Sequence, residues 1–233
     1  MATSKPQRVA RFPEGFFCEA KKGLVDVNAL SKEFDGKKIL KNVNLNLRKG
    51  EFAIIYGKNG AGKTTFIKLL STLYSPTSGK VEISGYDTLA NPIEVRKRIG
   101  VVTHDIGLYD ELTLKENLLF FCKMKFVPDL KKKIEHWIEK MGLENKNFSF
   151  LSSGEKQRAA IIMAVLHEPD VLLLDDVYAE LDEYGKKLMN DIIKDYIRNG
   201  KTVLLTTHDK NFDIDIDSRK FILENGKIKE GKY

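Results

Sequence analysis

The sequence predicts an α/β fold with a small antiparallel β layer and an α-helical insert, and three observations carry that prediction. A glycine-rich turn sits between an apolar run and a helical pattern, at Gly57–Thr65. Val171–Leu174 is an unbroken apolar run ending in two aspartates, as expected of a parallel strand covered on both faces. Between these two, a helical insert is expected at roughly 105–168.

The elements follow in order. Residues 1–22 hold Pro6, Pro13 and Gly15 without steady periodicity and read as an N-terminal extension, leaving 23–233 as one domain. Leu24–Leu30, Ile39–Leu47 and Glu51–Tyr56 read as strands, the second through the alternation Val43, Leu45, Leu47. A helix is expected from about Lys63 to Thr72, with strands at Lys80–Ile83 and Ile99–Thr103. The insert is expected at roughly 105–168; Thr113 and Glu116 form a capping-box pattern, and a further helix is expected over Asp129–Met141. Asp182 should cap a long helix that Gly200 stops, Thr202–Thr206 should be a buried strand, and Asn225-Gly226 should turn a hairpin.

Composition bounds the class. The 233 residues are 42% hydrophobic and 31% charged, ordinary for a globular domain. No stretch reaches the ~18 consecutive apolar residues of a membrane span, and no apolar h-region follows Lys5, Arg8 and Arg11, so a cytoplasmic location is expected. Cys18 and Cys122 lack metal or redox spacing. The net charge of +6 comes from scattered lysines, which reads as a solvated surface with no nucleic acid expected as partner.

The chemistry is concentrated in a few segments. In Gly57-Lys58-Asn59-Gly60-Ala61-Gly62-Lys63-Thr64-Thr65, glycines let the backbone curl so that successive N–H groups face phosphate. Lys63 would reach the β- and γ-phosphates and Thr64 would offer its hydroxyl to Mg²⁺. Asp175, at the exposed end of its strand, would hold the same cation from the other side; alone, that segment is equally a strand ending in an acidic turn. Leu151-Ser152-Ser153-Gly154-Glu155-Lys156-Gln157-Arg158 opens an Ala/Ile-rich helix whose N-terminus is suited to an anion.

In their order along the chain these three motifs resemble the ABC ATPase family over about residues 24–230, the Leu151–Arg158 segment matching its signature and the segment ending in Asp175 its Walker B strand. The resemblance implies a P-loop NTPase (RecA-like) core, ATP and Mg²⁺ as ligands, and ATP hydrolysis. It implies that Ser152, Ser153, Gly154 and Glu155 meet the γ-phosphate of ATP held by an opposite subunit, so that two chains, as homodimer or heterodimer, sandwich two nucleotides. It also implies separate transmembrane permease subunits, with this chain peripheral on the cytoplasmic face. Ala179–Asp182 looks like the D-loop, His208 looks like the switch histidine, and Phe34 occupies the place of the adenine-stacking ring, although an ordinary core aromatic would fit there too.

Four positions depart from the family pattern. Asp176 stands where a glutamate normally polarises water, and its carboxylate lies about 1.5 Å further back. A displacement of ~1 Å can cost ~10²-fold in rate, so slow hydrolysis is expected. Ser153 and Glu155 replace the signature's glycine and glutamine, and a glutamate there repels phosphate unless it points away or pairs with a cation. His104 replaces the Q-loop glutamine as a candidate metal contact. The stretch from His104 to Leu118 resembles export ATPases, and its histidine resembles the haem exporter of cytochrome c biogenesis; the resemblance leaves open an exporter ATPase for a drug, lipid or polysaccharide, or a soluble ABC ATPase acting on nucleic acid or ribosomes.

Overall fold

The structure, a computed structural model, describes residues 23–103, 107–124 and 130–231. The expected extension at 1–22 and the candidate His104 lie outside the described residues.

Among the described residues, two sheets are built from ten strands. The smaller is antiparallel, in the order β2-β1-β4-β5, from β1 (Val25–Phe34), β2 (Lys37–Leu47), β4 (Ser78–Ile83) and β5 (Tyr86–Asp87). Val43, Leu45 and Leu47 are buried while Asn44 and Asn46 are exposed, as the alternation requires. β1 runs beyond Leu30 because irregularities in its pairing at Val27/Leu30 and Leu30/Lys32, with Ala29 at φ 49, let it bend and continue.

The larger sheet has the order β10-β9-β3-β8-β7-β6, comprising β3 (Phe52–Tyr56), β6 (Ile99–Val102), β7 (Val171–Asp175), β8 (Thr202–Thr207), β9 (Arg219–Glu224) and β10 (Lys227–Glu230). All its pairings are parallel except that of β10 with β9, where Asn225 and Gly226 turn the hairpin at φ 52 and 77. Because strand residues alternate sides, β3, β6, β7 and β8 each feed two cores. Phe52, Ile54, Leu172, Leu174, Val203 and Leu205 pack on one face, and Ala53, Ile55, Val171, Leu173 and Leu204 on the other.

Helix α1 (Lys63–Leu70) packs in the second core with the antiparallel layer. Three helices lie between β6 and β7: α3 (Leu114–Met124), α4 (Leu130–Lys140) and α5 (Ser153–Val165). They share the first core with α6 (Glu183–Arg198). The expected capping box forms: Thr113 and Glu116 exchange backbone-to-side-chain hydrogen bonds at the head of α3. Helix α2 (Pro92–Arg98) was not legible beforehand, since Val95 is its one buried residue.

Candidate functional site

Strands β3, β7 and β8 run in one direction, so their C-terminal ends form a common crest, where Tyr56, Asp175 and Thr207 end. The chain leaves β3 through Gly57 and enters α1 at Lys63. Gly60 and Gly62 take φ of 78 and 108, a region closed to most side chains. A Cβ at Gly62 would also lie 3.1 Å from Ile39, so the turn needs glycine twice over. Gly62 caps α1 without a side-chain bond and the first turn holds no acid, which leaves the leading amides of the helix open to an anion.

Lys63 is buried at the base of this loop, its Nζ donating to the carbonyls of Gly57 at 2.8 Å and Lys58 at 3.2 Å. Burial pushes its pKa down, opposed by the nearby carboxylates of Asp176 and Asp175. Lys58, Asn59, Gly60 and Thr64 are exposed, while Ala61 and Thr65 are half-buried.

At the end of β7, Asp175 is 1% exposed. Its Oδ1 accepts a 2.6 Å hydrogen bond from Thr206, and its Oδ2 has no partner. A buried carboxylate oxygen left bare is costly unless a cation or water meets it. Among the described residues no three His, Cys, Asp or Glu gather into a metal-binding group. A cation held by Thr64 and Asp175 would therefore draw its other ligands from phosphate and water, the habit of Mg²⁺. Asp176 turns the chain at φ 53, and its Oδ2 lies 2.5 Å from His208 Nδ1. Lys63, Asp175, Asp176 and His208 are thus brought to one crest.

The head of α5 is a second phosphate-ready surface. Ser152 caps it, accepting from the Glu155 amide at 3.3 Å, and Glu155 Oε2 reaches back to the Ser152 amide at 2.8 Å. The amides of Ser153 and Gly154, on the first turn, have no acceptor within the helix. Glu155 Oε1 meets Lys146 at 3.2 Å. The repulsion expected of this glutamate is answered by the second route: it stays folded onto its own cap and pairs with a cation.

The family model described as "ABC transporter" matches residues 40–179. The chain belongs to the ABC transporter family. It is 34% identical over 195 residues to the ABC transporter ATP-binding protein NatA of Bacillus subtilis, covering 79% of each chain. It is 32% identical over 213 residues to the spermidine/putrescine import ATP-binding protein PotA of Spiroplasma citri, covering 89% of this chain and 61% of that one. Among solved structures, the dimeric ATP-binding cassette MJ0796 with ADP and Pi superposes with TM-score 0.79 at 29% identity, covering 89% of this chain and 98% of that one. Another dimeric structure of MJ0796 gives TM-score 0.81 at 28% identity, with the same coverage. The P-loop NTPase reading of the fold is confirmed by these neighbours.

Two further features of this ABC cassette complete the description. Phe34 is no core residue: it is 38% exposed, with Tyr74 edge-on at 5.4 Å between centroids and Lys32 Nζ 4.5 Å from its ring centre. Asp182 caps α6 through the Gly185 amide at 2.7 Å and pairs with Arg158 of α5 at 2.8 Å, tying the segment ahead of α6 to α5. Sequence reasoning missed Lys146 and Tyr74. Each acts across a turn of the chain, and neither carries a motif of its own.

Proposed function

We propose that this ABC cassette binds and hydrolyses ATP with Mg²⁺ as one half of a two-chain nucleotide sandwich, and that it drives a separate membrane-spanning permease from the cytoplasmic face. The observation that carries the reading is the convergence of the phosphate loop, the bare Asp175 Oδ2 and the Asp176–His208 pair on one crest. The amides of residues 58–65 and Lys63 bind the phosphates, Lys63 exchanging the Gly57 and Lys58 carbonyls for phosphate oxygens. Thr64 and Asp175 hold Mg²⁺, with His104 as a further contact; when bound, the cation neutralises phosphate charge. Asp176 orients the attacking water, His208 reaches the γ-phosphate, Phe34 stacks on adenine, and residues 152–155 grip the nucleotide of the opposite chain.

Among the described residues no helix is long and apolar enough to cross a membrane. Transport direction and cargo then belong to that permease. Export, with haem as one candidate cargo, is a second reading, favoured by the stretch from His104 to Leu118; the PotA relative is named for import, which favours the opposite direction. Tagged chain purified from native membranes with ATP·Mg²⁺ should bring down a stoichiometric multi-span membrane protein, and mass spectrometry of that protein would assign the cargo class. Recovery of a soluble dimer alone, or of a ribosome, would overturn the transport reading.

A further inference from the structure

Glu155 occupies an unusual electrostatic position. Its backbone-directed oxygen is committed to the cap of α5, so the side chain cannot swing away from the helix head without opening that cap. The bonds from Ser152 and the pairing with Lys146 hold its pKa at about 2, so it keeps its negative charge at any physiological pH. Its other oxygen faces Lys146, which stands on the loop between α4 and α5. The next cation, Lys156, lies 3.6 Å from Asp110 and 5.0 Å from the centre of the Phe148 ring, and so is engaged elsewhere. Lys146 with Glu155, Lys156 with Asp110 and Arg158 with Asp182 make three opposed pairs around the helix head, and loss of Lys146 would leave the charge of Glu155 uncompensated there.

We propose that Lys146 is a positioning residue for the phosphate-facing signature: it neutralises Glu155, and so allows the head of α5 to accept the γ-phosphate of a second chain's ATP. This rests on the two-chain reading above. Among the described residues Lys146 bonds with Glu155, Glu144 and Leu114, none of them in the phosphate loop, so nucleotide binding by a single chain should be independent of it.

The test compares the parent with Lys146→Met, Lys146→Arg and the double variant Lys146→Met/Glu155→Gln. Sedimentation velocity across a titration of the non-hydrolysable ATP analogue AMP-PNP with Mg²⁺ gives the concentration for half-maximal dimerisation, and fluorescent ADP gives the affinity of the single chain. Lys146→Met should raise the dimerisation midpoint about tenfold. Lys146→Arg and the double variant should return to within a few-fold of the parent, with ADP affinity unchanged throughout. Glutamine still completes the cap, so the double variant remains a test even if Lys146→Met alone folds poorly. A Lys146→Met midpoint equal to the parent's, or a raised midpoint that Glu155→Gln leaves uncorrected, overturns the proposal. A parent that binds ADP but never dimerises overturns the two-chain reading, and this proposal with it.

Discussion

At the scale of single residues, the site keeps charged groups where folding alone would not place them. Lys63 is a buried cation whose pKa burial depresses, so the folded state stabilises its charged form less than water does. Lys63→Met should abolish ATP binding measured by equilibrium dialysis, yet unfold at a temperature no lower than the parent's. Asp176 is the opposite case, a residue set by reach. Its left-handed backbone and its contact with His208 hold the carboxylate at the crest, one methylene short of the family's usual group. Asp176→Glu should raise single-turnover hydrolysis by about 10-fold or more. No gain would show that the backbone at φ 53 already makes up the missing length. The chemistry of these residues was legible in the sequence because each lies in a short motif with fixed order. The pairing of Glu155 with Lys146 was not, because it spans nine residues and depends on where the loop after α4 returns.

At the scale of elements, most strands could be read from alternation or from unbroken apolar runs, and the caps from Thr113, Ser152 and Asp182. Periodicity failed where burial was slight: α2 offers one buried residue, and β5 has two residues in all. The phosphate turn is the element most exposed to backbone error. Gly62→Ala must force a methyl group against Ile39 and Leu40 at a φ of 108. The expected cost is about 1–3 kcal/mol of stability by urea denaturation, together with at least a tenfold loss of ATP affinity. The cap of α5 brings a pH dependence with a defined sign. The folded-state pKa of Glu155 lies below its ordinary value, so its stabilisation is complete above about pH 4.5 and fades as pH falls through about 2. The stability of the parent relative to Glu155→Gln, followed by chemical denaturation, should therefore be greatest near neutrality and vanish at the acid end.

At the scale of the whole molecule, two sheets and three inserted helices hold together through a few polar ties as well as through two cores. Arg219 on β9 donates to the Asn46 carbonyl on β2 and to Glu51 ahead of β3, and it forks onto Glu230 of β10. It thereby joins the antiparallel layer to the parallel sheet. Its partial exposure screens these bonds, so Arg219→Met should cost about 1–2 kcal/mol in urea denaturation, less than the sum of its contacts suggests. The α/β class and the helical insert were apparent from the order of patterns along the chain. That β2 and β10 would meet was not, because nothing in either strand names a partner some 180 residues away.

That meeting bears on solubility. β2 is an edge of the antiparallel sheet and β10 an edge of the parallel one, and open edges invite pairing with other chains. The tip of the β9–β10 hairpin closes part of both, the Gly226 carbonyl taking the Lys41 amide at 2.7 Å. The exposed lysines 37, 38, 41 and 227 charge the strand ends beside that junction. Two adjacent open edges would otherwise present two templates for misassembly, and this stitch, with its fringe of positive charge, keeps them from acting as one.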